Sequence, residues 1–176
     1  MSKIVILCEG KTEELAVRHL VARQWKADNL AAVGLSTINL RAKVKDAGKS
    51  ARVELDKKEV VAVFTLIDLY GMKQVTHPSN DALEQKVERV REWLRAQIDH
   101  PRADRFFPHV SVHETEAWIL AEGHALAARL KDTSIKPDPN AESKNFQRPP
   151  STRLNELFQR RRQQPYHKRL LTAPLC

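Results

Sequence analysis

The sequence predicts an α/β fold in which helices flank a mainly parallel sheet. Two short apolar runs, Ile4 to Leu7 and Val60 to Ile67, have the composition of strands covered by helices. From Ala82 to Ile98, apolar residues recur at helical spacing, as on one face of an amphipathic helix. Strands that alternate with helices favour parallel pairing, because parallel neighbours need long crossover connections and these are right-handed. We therefore expect a Rossmann-like sheet whose strands share one carboxyl edge.

Length, charge and cysteine content narrow the class of protein. A chain of 176 residues suits one main domain whose core is stable without disulfides, and its two cysteines, Cys8 and Cys176, form neither a disulfide framework nor a zinc site. The net charge of +8 favours a polyanionic partner, most simply nucleic acid, with ordinary solubilising charge as the alternative. We find no signal peptide and no membrane-spanning run, which predicts a cytoplasmic protein without membrane contact.

The first apolar run leads into an acidic turn. Glu9 follows the strand directly, where open α/β sheets build their sites, and Gly10 permits a tight reversal. Thr12 is the candidate N-cap of a helix that extends from Glu13 to about Asp28. The turn is not a P-loop, because that motif needs a glycine five residues before Gly10. The alternative to a functional Glu9 is a solvated loop acid.

The middle of the chain continues the alternation of strands and helices. Ala32 to Leu40 is a strand candidate, and Phe106 to Val112 is another. A helix begins at Glu116 and is interrupted by Gly123. Between the second and third strands we expect a solvated loop whose basic residues are alternatively phosphate ligands: Arg41, Lys43, Lys45, Lys49 and Arg52.

The composition changes after Leu130, which suggests a domain boundary. We assign residues 1–130 to the α/β domain and residues 131–176 to a proline-containing loop, or lid, followed by a basic helical extension. The apolar residues near its end suggest either docking onto the core or an incomplete chain. Ser151 is a candidate cap for the helix of that extension. Its basic group is either a nucleic-acid contact or a helix end favoured by the helix dipole: Arg160, Arg161 and Arg162.

Carboxylates follow three of the predicted strands. Glu9 follows the first, Asp68 the central one, and Glu114 and Glu116 the last. Because the carboxyl ends of parallel strands share an edge, we expect these acids to converge and to hold a cation. Magnesium is favoured, since it commonly joins a few carboxylates to substrate phosphates. His113 is either a further metal ligand, in which case manganese could bind as well, or a structural histidine.

These motifs resemble the toprim domain of topoisomerases, primases and overcoming-lysogenisation-defect-type nucleases. The strand before Glu9-Gly10-Lys11-Thr12-Glu13 and the strand that ends at Asp68 are similar to the toprim pattern. Together with His113-Glu114-Thr115-Glu116-Ala117-Trp118, they resemble more closely an uncharacterised bacterial toprim-like family, a domain of unknown function. The resemblance covers nearly the whole chain.

The resemblance implies roles for individual residues. In toprim enzymes the first Glu is a general acid or base and an Asp-x-Asp pair binds magnesium, so Glu9 matches the first role and Asp68 the first metal position. Tyr70 replaces the second Asp, and a phenol is a poor magnesium ligand near neutral pH. Glu114 or Glu116 would supply the missing oxygen. Lys11 would meet a phosphate oxygen, and the accessory residues would be Glu13, Tyr70 and His113.

The sequence therefore predicts a magnesium-dependent phosphodiesterase of the nuclease class. The alternative is a catalytically incomplete toprim-like module that binds nucleic acid and acts beside an ATPase partner. A third hypothesis, a small-nucleotide phosphotransferase, has less support, since the chain has no glycine-rich phosphate loop. Topoisomerase or primase activity is not expected of a lone domain of this size.

Overall fold

The chain divides into two compact units. The structure, a computed structural model, describes residues 1–30, 32–69, 72–112, 116–138, 149–162 and 165–166. The first unit is Met1–Val112 and the second is His113–Cys176. Within the described ranges, every helix is too short or too polar to cross a membrane.

The first unit contains a parallel sheet. Its described strands are β1 (Lys3–Cys8), β2 (Gly34–Asn39), β3 (Val60–Asp68), β4 (Phe106–Phe107) and β5 (Val110–Ser111). β1 lies between β2 and β3, and β3 pairs with β4 and, further along, with β5. All of these pairs are parallel. The predicted α/β, Rossmann-like fold class with a mainly parallel sheet is confirmed.

Helices connect the strands of the first unit. A continuous helical segment after β1 consists of α1 (Lys11–Ala16), a π-helical turn (Val17–Val21) and α2 (Ala22–Ala27). The helix α3 (Ala47–Leu55) lies between β2 and β3, and α4 (Leu83–Arg95) confirms the periodicity seen from Ala82 onward. Short 3-10 turns precede α3 and β4, at Val44–Asp46 and Ala103–Arg105.

The main core lies between the sheet and the helices α3 and α4. Alternate residues of the central strands, such as Val5, Leu7, Val63 and Ile67, point to this side and are fully buried. They pack against the apolar stripe of each helix: Ala47, Ala51, Leu55, Val87, Val90 and Leu94. The sequence of β3 is almost continuously apolar because most residues on both faces of this strand are buried.

The solvated loop expected between the second and third strands was wrong in part, because this segment contains the helix α3. Its charged residues and Gly48 concealed a buried face at helical spacing, Ala47, Ala51 and Leu55. Gly48 is required for close packing rather than for a turn, because a Cβ added there would lie 2.5 Å from the Gln97 Cβ.

The strand predicted from Phe106 to Val112 is divided into β4 and β5. Pro108 and His109 interrupt it, and proline has no N–H for a sheet ladder. Thr65 of β3 bridges the interruption, since its Oγ1 donates to the His109 carbonyl at 2.9 Å and accepts from the His109 N–H at 3.0 Å. The buried threonine thus replaces the missing ladder bonds.

The second unit contains helices α5 (Glu116–Glu122), α6 (His124–Leu130) and α7 (Pro150–Arg162). They share a small core of Ala117, Leu120, Leu126, Leu130, Leu154 and Phe158. The expected interruption at Gly123 is confirmed, with φ of +53° at that residue. Because α7 begins at Pro150, Ser151 lies in its first turn and is not the residue before the helix. By their contacts α5 and α6 group with the second unit; the domain boundary after Leu130 stays a prediction.

Candidate functional site

The order of the strands places a switch point between β1 and β3. From β1 the chain crosses to β2 on one side and then returns past β1 to β3 on the other side. At such a reversal the connections leave opposite faces of the sheet, and a crevice forms outside the carboxyl ends of the two strands. Glu9 follows β1 and Asp68 is the last residue of β3, so both acids lie at this switch point.

Glu9 and Asp68 are joined by a direct hydrogen bond. The Asp68 N–H donates to Glu9 Oε2 at 3.0 Å, and the Glu9 N–H donates to the Leu66 carbonyl at 3.0 Å. Both acids are half-buried. The first bond orients the Glu9 carboxylate toward the end of the neighbouring strand. The structure therefore brings together two of the predicted site residues that are far apart in sequence.

The turn after Glu9 fixes the start of α1. Gly10 is the residue before the helix, with an extended backbone, and its N–H donates to Glu13 Oε2 at 2.9 Å. This is the return bond of a capping box. The Thr12 cap was wrong, since Thr12 lies inside the first turn and is 1% exposed. Glu13 was expected as an accessory site residue, and the structure gives it this helix-capping contact. Lys11, the predicted phosphate contact, is exposed at the same turn.

Glu14 holds α1 to the end of β2. Its Oε2 accepts from Lys11 Nζ at 3.2 Å and from Asn39 Nδ2 at 3.1 Å, and its Oε1 lies 2.7 Å from Arg18 Nη2. Burial raises the pKa of Glu14, but these hydrogen bonds and the two positive charges outweigh it and hold the pKa below its usual value. Glu14 therefore neutralises much of the charge of the basic residues beside it.

Cys8, the last residue of β1, is not a nucleophile. It is fully buried. Burial, followed by the negative charges of Glu13 and Glu14, raises the pKa of its thiol to about 12. Since the thiolate is the reactive form, this cysteine is chemically inert near neutral pH.

The loop after β2 completes this edge of the sheet, and Asn39, the last residue of β2, was not among the predicted site residues. Asn39 Oδ1 accepts from the Arg41 N–H at 2.7 Å, and the Ala42 N–H donates to the Glu9 carbonyl at 2.8 Å. Arg41 and Ala42 both have left-handed backbone, with φ of 52° and 60°. The only sequence signal was a polar residue at the end of another strand, and Asn39 carries no carboxylate that would mark it as a metal ligand.

The third predicted acidic cluster is described only in part. Glu116 belongs to the second unit, where it begins α5 and is 2% exposed. Its convergence with Glu9 and Asp68 stays a prediction. Tyr70, His113 and Glu114 lie outside the described residues.

The arginines of the basic group of α7 differ in their contacts, so they are not equally able to bind nucleic acid. Arg161 Nε lies 2.7 Å from Asp132 Oδ2 within the second unit, whereas Arg160 is exposed. The side chain of Arg162 lies outside the described residues. The predicted nucleic-acid contact by this group stays a prediction.

The donor chemistry at the switch point fits magnesium. Within the described residues, no three His, Cys, Asp or Glu side chains are grouped to hold a metal ion. Two carboxylates at one edge are nevertheless a set that magnesium uses when water and substrate phosphates supply its other ligands. Of these two, Asp68 would hold the ion, and Glu9 would lie beside it.

Comparison with known proteins identifies a family but no activity. A search of curated proteins and a search of solved structures each gave no match. One family model, Domain of unknown function (DUF4276), matches residues 8–175, which is nearly the whole chain. The match includes the acidic turn, the end of β3 and most of both compact units. The chain is therefore a member of the family described as Domain of unknown function (DUF4276).

Proposed function

We propose that this protein is a magnesium-dependent phosphodiesterase that hydrolyses nucleic acid, as a toprim-type nuclease would. The observation that carries the proposal is the hydrogen bond between Asp68 N–H and Glu9 Oε2 at the switch point of the sheet. It supports the proposal because it joins the carboxyl ends of β1 and β3, where α/β folds bind ligands, and orients the Glu9 carboxylate toward the strand that ends in Asp68. Manganese would substitute for magnesium at an oxygen site of this kind.

Glu9 and Asp68 have different roles in this proposal. Glu9 transfers a proton, from the attacking water or to the leaving oxygen, and its orientation by the neighbouring strand lowers the cost of alignment. Asp68 binds the metal. When bound, magnesium would neutralise charge on the phosphodiester and orient the attacking water. Glu116 and Glu114 are further candidate ligands on the grounds given by the sequence.

The charges near the two acids suit a polyanionic substrate. Lys11 is exposed on the turn directly after Glu9, where it would meet a phosphate oxygen. Arg41 and Lys43 are exposed on the loop whose backbone contacts Glu9. The chain as a whole carries a net charge of +8, which favours encounter with nucleic acid at low salt.

The test is a cleavage time course on plasmid, linear single-stranded DNA and RNA. Each substrate is incubated with magnesium, manganese or a chelator, and the variants are Glu9→Gln and Asp68→Asn. Glutamine still offers an oxygen to the Asp68 N–H, so the first variant should keep its fold while losing proton transfer. We expect its rate to fall by about 10² to 10⁴-fold. Glu84→Gln, at an exposed acid of α4, is the matched control and should cleave at the parental rate.

The outcomes separate the proposal from its alternative. Metal-dependent cleavage that both variants lose supports the nuclease and identifies its substrate. Cleavage at one rate by all four proteins indicates a contaminant and removes Glu9 and Asp68 from the chemistry. Salt-sensitive binding without cleavage, by a parent that melts cooperatively, favours a regulatory module that acts with an ATPase partner.

A further inference from the structure

Arg41 has a backbone conformation that arginine rarely adopts. Its φ is 52°, and the next residue, Ala42, has φ of 60°. Non-glycine residues in this region are strained because Cβ approaches the carbonyl oxygen. Hydrogen bonds hold the loop in place: Arg41 N–H to Asn39 Oδ1 at 2.7 Å and Ala42 N–H to the Glu9 carbonyl at 2.8 Å. The arginine is thus fixed beside the residue that we propose transfers the proton.

The guanidinium of Arg41 differs from most others in its unit. Arg41 is exposed, and within the described residues it has no ion pair or side-chain hydrogen bond. Most arginines of the first unit bind a carboxylate or a main-chain carbonyl: Arg18, Arg52, Arg89, Arg91, Arg95 and Arg102. Lys11, the other cation next to Glu9, already contacts Glu14. Arg41 therefore contributes an uncompensated positive charge at the switch point.

We propose that Arg41 is a substrate-binding residue that holds the non-bridging phosphate oxygens of a nucleic-acid strand next to Glu9. This inference rests on the proposed function and adds a residue to that site. A guanidinium suits the task because its planar N–H donors match two oxygens of one phosphate. A strained and fixed main chain suits it as well, because less freedom is lost when the substrate binds.

A purely structural role makes the opposite prediction for substitution. The hydrogen bonds of the loop use the N–H and carbonyl groups of residues 39 to 42 and the Asn39 side chain, but not the Arg41 side chain. Glycine at position 41 would keep those bonds and remove the strain. If Arg41 served the fold alone, a protein with glycine at position 41 would match or exceed the parent in both stability and nucleic-acid binding.

The test measures stability and nucleic-acid binding in the full chain. Binding of a labelled single-stranded oligonucleotide and of its duplex is followed over a series of salt concentrations, in chelator, for Arg41→Gly and Arg41→Lys. We expect Arg41→Gly to melt at the parental temperature or above it, to bind about tenfold more weakly, and to lower the salt slope by about 1. Arg41→Lys should keep most of the salt slope but lose affinity, because it lacks the paired donors.

Two control variants separate this effect from strain and from net charge. Ala42→Gly relieves the same kind of strain without changing charge. Arg105→Gln removes an exposed positive charge before β4, at the opposite end of the parallel strands. Both should bind as the parent does.

The inference is overturned if Arg41→Gly binds with the affinity and salt slope of the parent. It is also overturned if Arg105→Gln loses as much affinity as Arg41→Gly. A parent that binds neither oligonucleotide at low salt also overturns it. A parent that binds but never cleaves, and loses binding with Arg41→Gly, refutes the proposed hydrolysis while supporting the role of Arg41.

Discussion

Replacing Asn39 by aspartate exchanges one N–H₂ group for an oxygen at the end of β2. The aspartate still accepts the Arg41 N–H through Oδ1. It no longer donates to Glu14 Oε2, which lies 3.1 Å from the present Nδ2 atom. Two carboxylates would then face each other beside α1, where the Glu14 side chain is only 10% exposed.

The expected loss of stability follows from these contacts. A hydrogen bond to a charged group contributes about 1.5–3 kcal/mol. At 3.1 Å and an effective dielectric constant of about 20, two full charges repel by roughly 5 kcal/mol. Uptake of one proton relieves the repulsion, however, and from an ordinary carboxyl pKa this costs about 4 kcal/mol at pH 7. Neighbouring Lys11 and Arg18 reduce the repulsion further, so we expect a total loss of about 2–4 kcal/mol.

Thermal unfolding followed by circular dichroism measures this loss. For a chain of this length each kcal/mol lowers the Tm by about 2–4 °C, so Asn39→Asp should melt about 5–15 °C below the parent at pH 7. The difference should narrow as the pH falls toward 4, because one carboxylate then takes up a proton. Asn80→Asp, at an exposed residue, is the control and should stay within about 0.5 kcal/mol of the parent. An unchanged Tm in Asn39→Asp at pH 7 would refute the contact between Asn39 and Glu14.

Three further predictions concern packing and pH. Gly48→Ala should reduce the free energy of unfolding by about 1–3 kcal/mol in urea titrations, because the new Cβ would lie 2.5 Å from that of Gln97. Gly123→Ala should cost at least as much, since its φ is +53° and its Cβ would meet the main chain of Pro137 at 2.5 Å. The pKa of Glu14 is lowered in the folded protein, so its contribution to stability is present above the pKa of the unfolded chain. That contribution should disappear as pH falls below about 4.5, and Glu14→Gln should therefore flatten the acid limb of a stability profile.

One glycine serves as the control for both packing predictions. A Cβ at Gly34 of β2 would meet Lys3 Cβ at 3.5 Å, which is ordinary van der Waals contact. Gly34→Ala should therefore leave the unfolding midpoint nearly unchanged. If it destabilises the protein as much as Gly48→Ala, the loss at Gly48 does not come from its contact with Gln97. For the pH prediction, a parallel acid limb in Glu14→Gln would assign the acid sensitivity to other carboxylates.

The sheet was predictable because its strongest signals are local. Val60 to Ile67 is apolar apart from Thr65, and most residues of β3 are indeed buried. The proximity of Glu9 and Asp68 followed from that reading, since parallel strands bring their carboxyl ends together. What the sequence did not show was which strands are adjacent. The switch point between β1 and β3 depends on that order.

Other features could not be predicted from the sequence because long-range packing determines them. In α3 a glycine and several charges suggested a loop, yet Gly48 is needed where Gln97 approaches from a distant segment. Asn39 carries no site signal by residue type alone, because its importance comes from its contact with Glu14. Arg41 was a candidate phosphate ligand by its charge, but its position beside Glu9 depends on the hydrogen bond from Ala42 N–H to the Glu9 carbonyl. The break between β4 and β5, in contrast, is visible as Pro108 in the sequence.

The bond between Asp68 and Glu9 also has a kinetic consequence. It spans 59 residues, and β1 reaches its partner β3 only after the whole of β2 and α3 has been synthesised. Contacts of such long range form late and slow the folding of a chain. A nascent chain that ends at β2 contains the complete acidic turn but has no partner strand to orient Glu9. We therefore expect the site and the central sheet to fold and unfold together in one step. The amide hydrogen of Asp68 should then exchange with solvent as slowly as the amide hydrogens of β1.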